Sequence, residues 1–397
     1  MAVDVSSRSR QARVRSRARR AEAEAASLAR RVDWLLVGST AALVAYGLRA
    51  IDGITHHDVA GSPHYFVVRQ GIFAGVGLVA LLVSAAIDTD LYRRFGRVIF
   101  GGTILLMAFI FVAGPVTRGS RRWIDLGFFR FQPSEFGKLL FILFLAGYLA
   151  DRSRRVSEGD RRTTLTALGL GLVPIGLVFL QPDFGTALVY GAALVGVLFV
   201  AGARWTHLAV VGAAAVVGTL LVLWILPGAG VHVLKSYQEQ RLVGFTNPSK
   251  DPSGATYNVN QSIISVGAGG LRGRGVAGAT QTSLDYLPEH ATDFVFASLA
   301  EQRGFVGTAI LLLLYLLVVW RGLRIVTIAR DGFSSIAAGG IVVAFLFQVF
   351  VNVGMTMGIA PITGIPLPFV SVGGSSMIAN LAAVGVLLGI NARSRRR

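Results

Sequence analysis

Long apolar runs dominate the chain, separated by short breaks marked by arginine, glycine, proline or aspartate. A helix crossing about 30 Å of hydrocarbon at about 1.5 Å per residue needs about 20 mostly apolar residues. Ten runs meet this within a few residues: 34–51, 65–87, 97–115, 135–150, 163–180, 185–202, 206–227, 304–320, 335–359 and 370–391. The pattern predicts an all-α integral membrane protein, a ten-transmembrane-helix bundle with a large extracytoplasmic loop at 228–303 between the seventh and eighth helices. No convincing internal repeat is visible.

With an even number of spans both termini share a side, and the Lys/Arg bias of the short loops says which. The tail 1–31 holds nine arginines, alternate loops hold Arg93, Arg94, Arg97, Arg152, Arg154, Arg155, Arg161, Arg162, Arg204, Arg321, Arg324 and Arg330, and the C-terminal 392–397 adds four. Together they account for 25 of the 38 Lys and Arg residues, so both termini are predicted to be cytoplasmic. The opposite side then receives 52–64, 116–134, 181–184, 228–303 and 360–369. The fourth of these is by far the longest, and loops of that length are functional or disordered. The tail itself is too polar to bury a core and reads as a disordered or interfacial segment, ahead of a membrane domain at 32–391.

Composition narrows the function classes. The 397 residues are 53% hydrophobic and 15% charged, against about 25% charged in a soluble domain. The net charge of +17 sits beside apolar segments, which argues for membrane topology and against nucleic acid. With no cysteine there is no disulfide, thiolate nucleophile or Cys-type zinc site. The six histidines show no metal-ligand spacing.

Candidate chemistry lies on the outer side. Asp293, in TDFVFASLAE, directly precedes an apolar run, so its carboxylate is predicted at or just inside the membrane surface. Two readings are open: Thr292 or Asp293 caps the following helix, or a carboxylate in so costly a place is functional. Glu135 and Lys138, at i and i+3, form either a structural pair or part of a site. Asp183, in QPDF, is placed either to cap the sixth span or to serve chemistry.

At these segments the sequence resembles the SEDS family (shape, elongation, division and sporulation), and within it the RodA branch more than the FtsW branch. The likeness runs from about residue 34 to 391. It is carried by GSRRWIDLG (119–127), FQPSEFGKL (131–139), QPDFGTA (181–187), YNVNQSIISVGAGGLRGRG (257–275), LDYLPEHATDFVFA (284–297) and GIAPITGIPLPFVSVGGSS (358–376). There are departures: the family's His-Thr-Asp order is here His290, Ala291, Thr292, Asp293; Val372 stands for a usual tyrosine; and Arg274 stands where lysine is common. The resemblance implies a peptidoglycan glycosyltransferase in the cell inner membrane that joins lipid II units onto a nascent glycan strand. Asp293 aligns with the family's essential aspartate. Arg122, Trp123, Glu135, Lys138, Asp183, Gln261, Ser262, Arg274, Glu289 and Ser371 are the implied substrate-binding set.

An inverting transfer of this kind needs a base for the acceptor 4-hydroxyl and charge stabilisation for the departing pyrophosphate, supplied by cationic side chains or a divalent cation. Arg122, Lys138, Arg241, Arg272 and Arg274 are the cationic candidates. No cofactor is certain, and no metal ligands are assigned. The implied partners are a class B penicillin-binding protein and the elongation machinery. A lipid II flippase is the competing reading, since polar groups inside a helical bundle also suit a transport path. A non-enzymatic scaffold is a third.

Overall fold

The computed structural model describes residues 32–114, 121–221 and 256–394. The basic tail 1–31, residues 115–120 and 222–255 (which include Arg241 and the first part of the long loop), and 395–397 lie outside the described residues. Helices account for nearly all the order: α1 Trp34–Ile54, α2 Tyr65–Ala86, α3 Thr89–Ala113, α4 Pro133–Ala150, α5 Ser153–Ser157, α6 Arg161–Leu180, α7 Phe184–Val200, α8 Trp205–Leu220, α9 Tyr257–Gly269, α10 Gly275–Gly278, α11 Thr280–Ser283, α12 Val295–Ile328, α13 Gly332–Thr356 and α14 Gly374–Ser394. A two-stranded hairpin, β1 Ile124–Asp125 against β2 Arg130–Phe131, leads into α4.

A helix lies over every one of the ten predicted runs. Among the described residues eight are long and apolar enough to cross a membrane, while α7 and α8 are shorter apolar helices; the end of the seventh run, 222–227, lies outside the described residues. Several boundaries differ from the predicted ones. Helix α3 starts eight residues before the predicted 97, at an Asp88 cap, so Arg93, Arg94 and Arg97 are helical rather than loop residues. Helix α14 starts four residues after the predicted 370, because 367–372 forms a turn, with Val370 N and Ser371 N both donating to Leu367 O, held against the α12 entry. Helix α12 starts nine residues before the predicted 304 and ends eight residues after the predicted 320, so Arg321 and Arg324 too are helical rather than loop residues.

Aspartates open five helices. Asp33, Asp88, Asp160, Asp183 and Asp331 each accept a backbone N–H of the first turn, which satisfies an orphan donor and opposes the helix dipole. Asp33 also holds a buried ion pair with Arg321 Nε at 3.0 Å, fastening α1 to the far end of α12. The interior is built from α4, α7, α13 and α14; α2 packs on α14, and α3 on α4. Much of α2 and α3 turns apolar side chains such as Val68, Ile72, Val76, Val98 and Leu105 outward, as lipid-facing helices do.

Helix α12 is two segments meeting at Gly304, whose φ is +64°. The loop 270–273 approaches so closely here that a Cβ would collide with the backbone of Arg272 and Gly273. That loop supplies the acceptors the broken helix lacks: Phe305 N donates to Gly270 O (2.8 Å) and Val306 N to Leu271 O (3.1 Å).

Candidate active site

Two groups of polar residues meet at one end of the bundle. The first surrounds the start of α4. Pro133 occupies the first helical turn, where its missing N–H costs nothing. Gln132 N donates to Ser375 Oγ (2.9 Å), which in turn donates to Arg130 O (3.0 Å), tying the hairpin to α14. One turn on, Lys138 Nζ donates to both Glu135 oxygens (2.9 and 3.0 Å) and to Gln348 Oε1 (3.3 Å). Both members of the pair are more than nine-tenths buried. A cavity of about 20 Å³, enough for a water molecule, lies between this pair, Gln348 and Asn380.

Asp183 joins the same group. It caps α7 through Thr186 N (3.2 Å), accepts from Gln132 Nε2 (3.0 Å), and lies 3.6 Å from Arg122 Nη1. Arg122 stacks over the Trp123 ring, 4.4 Å from its centroid, and its Nε is buried without an acceptor among the described residues. The two cations therefore differ: the three ammonium donors of Lys138 are all used within the protein, whereas Arg122 keeps a donor in hand.

The second group holds the α12 entry. Helix α12 begins at Val295 with Phe294, which has no polar side chain to offer, in the capping position. Thr292 Oγ1 lies 2.8 Å from Glu289 Oε2 and so turns back to Glu289. Asp293 is half-buried, and its backbone is pinned. Asn352 Nδ2 donates to Asp293 O (2.9 Å) and to Ile365 O (2.8 Å). Ser371 Oγ donates to Thr292 O (2.6 Å) and accepts from Leu367 N (2.8 Å). Val372 N donates to Ala291 O (2.9 Å), and Gln70 closes the segment with bonds to Ser371 O (3.0 Å) and Gly373 N (3.1 Å).

Helix α13 joins the two groups. Gln348, which meets Lys138, and Asn352, which meets Asp293, are four residues apart and so share one helix face about 6 Å apart. The 363–365 segment held by Asn352 also packs directly on Gly185, two residues past Asp183. Among the described residues the non-glycine positions with positive φ are Pro182, Asp285, Glu289 and Phe369, all in segments around these groups. Such conformations cost about 1 to 3 kcal/mol each and persist where the surroundings impose them. At Glu289, whose side chain accepts from Thr292 Oγ1 (2.8 Å), the carbonyl takes the N–H groups of both Thr292 and Phe294.

The remaining expected site residues lie elsewhere in the framework. Ser262 is fully buried and donates to Thr356 O (2.8 Å), fastening α9 to α13 beside Gln261. Arg274 is exposed, its Nε donating to Ala268 O (3.0 Å). Glu301, outside the expected set, is buried, accepts from Gln281 N, Thr282 N and Thr282 Oγ1, and so anchors α11.

His290, displaced by one position from the family's usual order, reaches the first loop: its Nε2 lies 3.1 Å from both oxygens of Asp58, and its Nδ1 3.2 Å from Leu287 O. Burial pushes the imidazole's pKa down. The hydrogen bond and charge of Asp58, with Leu287 O and Asp285, outweigh that and hold it above the ordinary histidine value. Asp58, Asp285 and His290 are also close enough to share a cation, with ligand atoms within 4.8 Å of one another.

Gln70, Gln132, Gln348, Asn352 and Asn380 were not anticipated from the sequence. Their signal was an amide inside an apolar run, most legible at the i, i+4 spacing of Gln348 and Asn352.

Comparison with known proteins extends these observations. Peptidoglycan glycosyltransferase MrdB of Escherichia coli (strain K12) is 39% identical over 316 residues, 80% of this chain and 83% of that protein. A chain of the solved structure described as "Structural coordination of polymerization and crosslinking by a peptidoglycan synthase complex" matches with a TM-score of 0.77 at 31% identity, over 92% of this chain and 99% of the other. The crystal structure of the Thermus thermophilus rod shape determining protein RodA matches at 0.67 and 30% identity, over 92% and 98%. The profile of the FtsW/RodA/SpoVE family, described as cell cycle proteins, matches residues 31–396, which takes in both polar groups and every helix between them: the chain belongs to that family.

Proposed function

We infer that this chain is a membrane-embedded peptidoglycan glycosyltransferase that polymerises lipid II into glycan strands. The 39% identity to a protein named for that activity supports the reaction. The observation that carries the site assignment is Asp293: it is half-buried at the membrane entry, with its backbone fixed by Asn352 and its neighbours by Ser371.

In the proposed reaction the Asp293 carboxylate takes the proton of the acceptor 4-hydroxyl. The new bond forms at the anomeric carbon as the carbon–oxygen bond to pyrophosphate breaks, and the pyrophosphate leaves with the electron pair. Arg122 supplies charge and a spare donor to that leaving group, which is good enough to depart without a protein acid. Lys138 acts beside it as one half of a pair that keeps Gln348 in place. Trp123 orients Arg122. Glu289 and Ser371 set the backbone that presents Asp293.

The arginine distribution supports an orientation with the tail 1–31 and the C-terminal 392–397 cytoplasmic, in the cell inner membrane, and with the site outside. There it meets sugars whose lipid tails remain in the bilayer. A class B penicillin-binding protein is the proposed partner, in line with the likeness to a chain of a complex that both polymerises and crosslinks; the RodA likeness points to the elongation machinery.

Asp293→Asn keeps the shape of the side chain. It is expected to leave a folded, inserted protein with lipid II polymerisation reduced by about 10² to 10⁴, the usual cost of a lost general base. Near wild-type polymer from this variant, at equal protein level, sinks the assignment and moves the base to Glu289 or Asp183.

A further inference from the structure

Away from the active site, a cavity of about 330 Å³ opens between α1 and α12, flanking the Gly304 break. Leu299, Val306 and Ile310 make it apolar, yet Arg49 and Arg303 both line it, and both are exposed. Among the described residues neither guanidinium has a carboxylate or a hydrogen-bond acceptor, and no carboxylate lines the cavity. Tyr46 adds a hydroxyl, which donates to Gly307 O (2.9 Å) and keeps its oxygen available. Arg49 lies five residues before the end of α1, about 7.5 Å into the helix. That end carries the loop of Asp58 and His290, so the cavity lies on the active-site side of the membrane, at the depth where an arginine meets headgroups.

Two unpaired guanidinium groups beside hydrocarbon are costly unless an anion joins them. Arginine's planar fork suits a phosphate, with two parallel N–H bonds to its oxygens. Basic pockets between transmembrane helices bind anionic lipid headgroups on the cytoplasmic side, and the same guanidinium–phosphate chemistry holds at the opposite face. A partner's apolar helix would bring no counter-charge.

We propose that this groove binds the phosphodiester headgroup of an anionic phospholipid, with Arg49 and Arg303 on the phosphate and an acyl chain along Val306 and Ile310. The lipid then bridges α1 to both segments of α12 at the one place where α12 is broken. This site is separate from the polymerisation chemistry and stands without it.

Native mass spectrometry tests the proposal. The full-length protein is incubated in detergent with equal amounts of phosphatidylglycerol and phosphatidylcholine, and the retained lipids are counted. At about 1 kcal/mol, or fivefold, for each basic residue at an anionic surface, the pair predicts roughly a 25-fold preference for phosphatidylglycerol. Arg49→Gln or Arg303→Gln alone should cut it about fivefold, and the double variant should abolish it. Among the described residues neither guanidinium bonds to protein, so unchanged elution and Tm are expected; should the double variant misfold, the two single variants decide the matter. Equal retention of both lipids by the wild type, or a preference untouched by the substitutions, overturns the proposal. A third arm replaces phosphatidylglycerol with undecaprenyl phosphate: stronger arginine-dependent retention of that lipid would assign the groove to the polyprenyl carrier instead and equally overturn it.

Discussion

Removing the ammonium of Lys138 strands a carboxylate with nowhere to go. Glu135 is 3% exposed and Lys138 6%, and the Lys138 donors satisfy both Glu135 oxygens and Gln348. Breaking a buried pair by deleting one partner costs about 3 to 5 kcal/mol, because the other charge is left uncompensated, whereas replacing both with neutral groups of similar volume is about neutral. Lys138→Met is therefore expected to lower stability by that amount, and Glu135→Gln added to it to restore most of the loss. Thermal unfolding of the three proteins in one detergent, at one scan rate, gives the comparison. Equal Tm values for wild type and Lys138→Met, or a double variant no better than the single, would refute the picture of a mutually dependent pair. Polymerisation by the rescued double variant then separates folding from function: a stable protein that makes no polymer shows that the charges themselves act on substrate, and an active one shows that they only hold the framework.

Ser371→Ala removes the hydroxyl joining Leu367 N to Thr292 O. It should cost about 1 to 3 kcal/mol for the buried N–H left unpaired, and should lower kcat more than it raises KM, because Asp293 shifts while substrate contacts remain; an unchanged kcat would remove Ser371 from the positioning framework. Because the folded-state pKa of His290 is raised, its bond to Asp58 stabilises fully below the unfolded value of about 6.5 and fades as pH rises through the raised folded value. Tm should therefore fall from about pH 6 to pH 8.5, and Asp58→Asn should flatten that slope; a wild-type profile as flat as the variant's would show that the pair contributes nothing. The protein has no cysteine of its own, so topology is testable with single substitutions: an impermeant maleimide should label Leu284→Cys in intact cells and spare Ser157→Cys, and the reverse pattern would mean that the orientation is inverted.

What the sequence determined by itself is what depends on neighbours within a few residues. Run length and hydropathy set the helices, since every span must satisfy its own backbone in lipid. The i, i+3 spacing of Glu135 and Lys138 made their pairing legible, as did the position of Asp183 before Phe184 for its cap. Family motifs pointed to Asp293, but not to what holds it.

That was decided by tertiary structure. Asn352 reaches Asp293 O across 59 residues, His290 reaches Asp58 across 232, and Gln70 reaches Ser371 across 301. The Gly304 break likewise exists only because loop 270–273 packs against it. In water, hydrophobic periodicity would have shown which face of each helix turns inward. In a bilayer the lipid-facing and core-facing sides are both apolar, so the pattern that reveals a span hides its rotation, and with it which amides, serines and carboxylates meet.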